Sequence, residues 1–164
     1  MKTLFLLLSL FCGVCYAQSP IQGRVPAAST IIKPLEQGPG VFGVFDGRTP
    51  CQDIAKSIGL AVTPDCFKLK WRVTLYQDPK SQLPTTYKLE TTFNRTEAAT
   101  GKWSKIKLIR NNKEVIVYRL AAGTRKESMS FLRGDDNVLF FLDKNNELLA
   151  GDENFSYTLN RKGI

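Results

Sequence analysis

From residue 67 onward the chain alternates almost without fault. Phe67, Leu69, Trp71, Val73 and Leu75 fall on one face, and Lys68, Lys70, Arg72 and Thr74 fall on the other. A side-chain period of two is what a half-buried strand requires, because successive Cβ atoms point to opposite faces. Tyr87, Leu89, Thr91 and Phe93 continue the inward face beyond a turn between Pro79 and Pro84. Shorter apolar runs at 41–45, 101–108, 115–120, 129–132, 138–142 and 155–159 complete the set, with Leu148 and Leu149 as a stub. Asp78-Pro79, Gly134-Asp135-Asp136-Asn137 and the 143–146 segment supply turn chemistry between the runs. The pattern predicts an all-β fold of about eight short strands. Hairpin-length connections favour an up-and-down antiparallel sheet, and that many twisted strands close into a small barrel. A two-sheet sandwich is the alternative.

One segment departs from the strand period. Thr49 is placed to cap a helix, Pro50 to occupy its first position and Gln52 to complete a capping box. Ile54 and Ile58 then share a face, and Gly59 suits the stop. The expectation is one short helix after the first strand, plugging or covering one end of the barrel.

The N-terminal residues belong to no fold. Met1-Lys2 is a basic start, residues 3–11 are apolar, and small residues lead to Ala17. That run is far short of the ~20 residues that span a bilayer, so residues 1–17 read as a signal peptide cut after Ala17. Cys12 and Cys15 lie in this segment, but neither has the residues before it that a lipobox wants, so simple cleavage is expected over lipidation. Residues 18–40 hold Pro20, Gly23, Pro26, Pro34, Gly38, Pro39 and Gly40 and read as a linker or an extended, untethered arm. The barrel domain is then 41–164, in an exported protein that is periplasmic or secreted rather than an outer-membrane lipoprotein.

Composition changes the picture mainly through one absence. The chain has no histidine, which removes the usual general base, the commonest zinc ligand and every Ser-His or Cys-His pair. Asp135-Asp136 and Asp152-Glu153 sit in turn sequence, and Ser57, Ser128 and Ser130 lack a nucleophile elbow. No enzymatic activity, metal or cofactor is expected. Cys51 and Cys66 remain after the signal peptide, an even number suited to a disulfide in an oxidising compartment. The alternative is that Cys51, at a helix start, is a reactive thiol with Cys66 as its partner. Met129 reads as core.

Lys+Arg 23 against Asp+Glu 15 gives a net charge of +8. Lys68, Lys70 and Arg72 line one strand's outer face, and Lys102, Lys105, Lys107, Arg110 and Lys113 crowd another region. The aromatic residues fall on the opposite, inward face, so no stacking platform for bases is expected and nucleic acid is not an expected partner. The basic face reads as solvated, with an anionic envelope polymer as its second reading.

At this point the residues resemble a family. The run from Gly43 to Cys51, GVFDGRTPC, is similar to the opening Gly-x-[Tyr/Phe]-x-Gly-x-x-Pro-Cys of the NlpE N-terminal domain family. The Trp71 to Leu75 strand, Thr86-Tyr87-Lys88-Leu89, Gly101-Lys102-Trp103, Leu142-Asp143 and Phe155-Ser156-Tyr157-Thr158-Leu159 follow in that family's order, over residues 41–160. Ile54 stands where the family has the second cysteine of Cys-x-x-Cys, and no clear lipobox or C-terminal OB-like domain is expected here. The resemblance implies a bacterial envelope protein with a small lipocalin-like barrel, accessory to copper homeostasis or the envelope-stress response, with an unidentified envelope protein as partner. The rival is a lipocalin-type carrier of an apolar or amphiphilic small ligand, with Phe45, Trp71, Tyr87 and Trp103 as interior contacts. Within that rival, side chains filling the interior are favoured over a hollow one. A thiol-dependent redox protein comes third.

Overall fold

Strand alternation decides what the barrel encloses. The computed structural model describes residues 34–59, 61–92, 98–125 and 127–163. Residues 1–17, expected as a signal peptide, residues 18–33 of the arm and Phe93 lie outside the described residues. The strands are β1 (Val41–Pro50), β2 (Lys68–Gln77), β3 (Pro84–Thr91), β4 (Ala99–Arg110), β5 (Lys113–Leu120), β6 (Met129–Arg133), β7 (Val138–Leu142) and β8 (Thr158–Arg161), with helix α1 (Gln52–Ser57) between β1 and β2. Each strand pairs with the next in antiparallel fashion, and β1 pairs with β8, so the sheet closes on itself. The barrel forms and the sandwich does not.

The inward residues fill its middle. Leu69, Trp71, Val73 and Leu75 of β2 are buried, as are Tyr87 and Leu89 of β3, Phe131 of β6, Leu139 and Phe141 of β7 and Leu159 of β8. The Phe141 ring meets Phe131 at 4.8 Å, Trp71 at 5.2 Å and Tyr157 at 6.1 Å between centroids. Met129 is core.

Three local expectations are corrected. Thr49 does not cap the helix, because β1 runs on through it to Pro50. Its side chain is fully buried; Oγ1 accepts a hydrogen bond from Trp71 Nε1 at 2.8 Å and donates to Pro50 O at 2.9 Å. Cys51 takes the cap position without a side-chain bond, and Gln52 directs its amide at the carbonyls of Thr63, Pro64 and Cys66 at 3.0–3.1 Å. Phe67 is not inward but 60% exposed, since pairing starts at Lys68 opposite Pro50, and its ring rests on Phe155 at 5.2 Å. The last strand runs 158–161 rather than 155–159, and the Leu148 stub is a single bridge to Leu142.

One end of the barrel is sealed. Helix α1 buries Ile54 and Ala55 in the core, Ile58 packs beside them, and Gly59 turns the chain at φ +66°. Cys51 and Cys66 are joined by a disulfide with Cα atoms 5.8 Å apart, which closes the crossover and leaves no free thiol at the helix start. The β3–β4, β5–β6 and β7–β8 connections belong to this same end. The other end carries the start of β1, the β2–β3, β4–β5 and β6–β7 turns and the exit of β8.

The described part of the arm is tethered, not loose. Gly38 and Gly40 carbonyls accept from Val41 N at 3.0 Å and Gln77 N at 2.9 Å. Glu36 accepts from the Tyr76 hydroxyl and from Lys88 Nζ at 2.9 Å. Burial works against the Glu36 charge, but these two partners outweigh it and hold the carboxyl below its ordinary 4.5. A depressed acid stabilises its contact above the unfolded value and loses it as pH falls through the folded one. The Tyr76 ring resonances are therefore expected to hold steady above 4.5 and to shift on further acidification, and Glu36→Gln to abolish that titration. An unchanged titration in the variant would remove Glu36 from the tether.

Candidate functional site at the open end

Alternation carried to the ends of β6 and β8 and past the middle of β4 places cations on the inward register face. On β4, Trp103 faces inward, so Lys105 does too, opposite Tyr118. On β6, Arg133 follows inward Phe131, and on β8, Arg161 follows inward Leu159, opposite Phe45. All three lie toward the end away from α1.

Aromatic rings receive them. Phe42, Trp103 and Tyr118 form a triangle with centroid separations of 5.1, 5.6 and 5.3 Å. A register shift between Val41 and Gly43 turns Phe42 toward this cluster although Phe45 also points inward. Lys105 Nζ sits 4.4 Å from the Phe42 centroid and 5.7 Å from that of Trp103. The Arg161 guanidinium lies 4.7 Å from the Phe45 centroid and 5.3 Å from that of Phe42. Gly43 makes room for it, since a Cβ there would stand 2.3 Å from the guanidinium NH1.

The polar groups of this mouth are unevenly satisfied. Arg161 donates from Nε to Asp136 O at 2.6 Å and from NH1 to Phe42 O at 2.8 Å. Arg133 pairs with the Asp136 carboxylate, while its Nε is buried without a partner. Neither Lys105 nor Arg161 has a carboxylate partner among the described residues. Burial, helped by the nearby Arg133 charge, pushes the Lys105 ammonium below its usual value. Burial pushes the Tyr118 phenol up, against the pull of Arg133 and Arg161.

The four residues expected as interior contacts all lie inside, but they do not meet at one place. Phe45 is fully buried under Arg161. Trp71 packs on Phe141 and gives its indole N–H to Thr49. The Tyr87 hydroxyl donates to Ala121 O at 2.8 Å, and Trp103 Nε1 donates to Tyr76 O at 2.6 Å. Phe45 and Trp103 belong to the cationic cluster; Trp71 and Tyr87 do not. Phe42, Tyr118, Arg133 and Arg161 were absent from the sequence-derived set; the signal for the two arginines was the two-residue step beyond Phe131 and Leu159.

The outer basic stripe is less bare than its sequence. Arg72 grips Asp46 with two bonds of 2.9 and 2.8 Å, and Lys88 reaches Glu36 and Glu90. The 102–113 crowd also divides: Lys107 pairs with Glu114 at 3.0 Å and Arg110 with Glu147 at 2.7 Å, while Lys105 turns inward. Basic and aromatic residues therefore do interleave, at the mouth rather than on the outer face. The paired carboxylates serve turns: Asp135 Oδ1 accepts from Asn137 N and Val138 N, and Asp152 Oδ1 from Asn154 N and Phe155 N. Among the described residues no three His, Cys, Asp or Glu side chains gather as a metal site. No family model, curated protein or solved structure matches the chain, so the NlpE resemblance rests on its motifs and the site on its own geometry.

Proposed function

We propose that this chain is an exported, non-enzymatic envelope protein of the NlpE type that works as a small-ligand binding barrel. The observation that carries the reading is the asymmetry of the two ends. One is built for rigidity, with a helix that buries Ile54 and Ala55 and a disulfide. The other gathers cations on aromatic rings without a matching set of carboxylates. Like charges gathered at one opening repel one another in a purely structural role and favour an anion in a receptor. The disulfide supports an oxidising compartment, in keeping with export.

The copper role implied by the resemblance belongs, on this reading, to a reduced form, because the bridge consumes both sulfurs. Native mass spectrometry of protein purified from its own envelope tests the proposal. We expect a chain cut after Ala17, two hydrogens lighter for the Cys51–Cys66 bridge, carrying a small molecule that dissociates on collisional activation. A chain released bare, or bound only to another protein, would count against the carrier reading. Acyl chains on Cys12 or Cys15 would overturn free export.

A further inference from the structure

Three places in the fold hold side chains that its own packing leaves incomplete. Arg125 at the sealed end has Nε and NH1 buried without partners, but it lies within the β5–β6 connection with its guanidinium over the Tyr87 ring and NH2 already given to the Tyr87 hydroxyl and Ala121 O. The exposed Ile109, near the tip of the β4–β5 hairpin and opposite Glu114, is a single apolar side chain with nothing to define what would cover it. The mouth has both chemistry and convergence.

We infer that the open end is a receptor for an anionic headgroup, a carboxylate or phosphate on an apolar body, held by Lys105, Arg133 and Arg161 with the Tyr118 hydroxyl. The inference rests on the binding-barrel reading and names its ligand class. Three strands deliver the three cations to one opening, and among the described residues the carboxylate paired with them, Asp136, is taken by Arg133. Arg161 is fixed by two backbone carbonyls and by the Phe45 and Phe42 faces, so its guanidinium is oriented before any ligand arrives. Pre-oriented arginine is the group best suited to carboxylate and phosphate oxygens. Lys105 lies over Phe42, held only by ring faces, and is free to swing onto an anion.

The same packing says where the apolar body goes. Directly beneath the cations the barrel is occupied by Phe45, Trp71, Phe131 and Phe141, all buried and in ring contact or stacked under Arg161. A tail has no room to descend past them without repacking. It lies instead across Phe42 at the rim, because the register face beyond Lys105 is taken up by the Lys107–Glu114 ion pair. This places the ligand across the rim, unlike a carrier that swallows its cargo.

Calorimetry with the full mature chain tests this, using decanoate, decyl phosphate and decanol below their aggregation concentrations. Decanoate and decyl phosphate are expected to bind with one-to-one stoichiometry, decanol at least about tenfold more weakly, the value of one charge-assisted contact. The better of the two anions tells a carboxylate source from a phosphate source. Lys105→Met is expected to weaken the anions about tenfold and leave decanol unchanged, and Lys102→Met on the outer face to do neither. Arg161→Met risks the fold because it anchors Phe42 O, so Lys105→Glu, at an exposed ammonium, is the second variant and should abolish anion binding with the thermal midpoint preserved. Decanol matching decanoate, with Lys105→Glu inert, would overturn the anion receptor and leave the binding barrel standing. No amphiphile binding at all would overturn the receptor, and a bare protein in native mass spectrometry would then take the barrel reading with it.

Discussion

Phe141→Ala is expected to destabilise the barrel by about 3–5 kcal/mol, the cost of removing a large aromatic side chain from a packed core. The ring is buried to 1% exposure and touches Trp71, Phe131 and Tyr157, which come from three other stretches of chain. Those three neighbours are themselves held: Trp71 by Thr49, Phe131 by its place between β5 and β7, Tyr157 through its carbonyl, which accepts from Phe141 N at 2.9 Å. They have little freedom to collapse into the space the ring leaves, so most of the cavity cost stays. The measurement is the urea midpoint at constant slope, with Phe140→Ala as the reference on the half-buried outer side of the same strand. Phe140→Ala should cost about 1 kcal/mol, as a partly exposed site does. Equal costs would mean that the Phe141 ring faces open space. The interior would then be a chamber, and the ligand would belong inside rather than at the rim.

What the sequence made legible follows from range of interaction. The alternation of β2 needs only its own residues, and it names the inward face from Leu69 to Leu75 correctly. It fails by one position at Phe67 because the strand's start is set by Pro50 on the partner strand, which no local pattern contains. Thr49 misled for the same reason. Threonine before proline is helix-start chemistry, yet here the hydroxyl is claimed by an indole 22 residues away. The turn at Asn111-Asn112, where both residues have positive φ, was local and readable in principle, since asparagine tolerates that region.

The mouth was harder to see, and the reason is physical. Periodicity is read from apolar residues, so it stops being informative where an inward position turns charged. Lys105 looked like one more member of a basic crowd, although it sits two residues past inward Trp103. Arg161 is 119 residues from its acceptor on Phe42, and closure of β1 on β8 is what brings them together. Phe42 joins through a register shift, which breaks parity instead of obeying it. A site assembled by ring closure and a bulge leaves its pieces in the sequence without leaving its shape.

The double variant Cys51→Ser, Cys66→Ser is expected to lose about 3 kcal/mol, from the restored freedom of the unfolded loop. The sulfurs join residues 15 apart in sequence around the one helix and a crossover with no strand pairing of its own. That loss is a large share of the ~5–15 kcal/mol typical of a single domain, and it should lower the thermal midpoint by roughly 10 °C. Both cysteines must change together, because a single serine would leave a free thiol next to a buried core. Ile54, Ala55 and the Gln52 amide bonds to Thr63, Pro64 and Cys66 remain, so the native state below the transition should keep its helix in place. A loss near zero would mean that those contacts already restrict the segment in the unfolded ensemble. The more telling measurement is made on the same variant well below its midpoint, with decanoate. The bridge and the cationic mouth are at opposite ends of a packed barrel, and no hydrogen bond or ion pair among the described residues joins them. Affinity should therefore stay within about twofold of the oxidised protein while stability falls, since sites with no shared partners behave additively. A large drop in affinity would mean that the sealed end governs the open one. Reduction of the bridge would then be a signal read at the mouth, and the two ends would be one device.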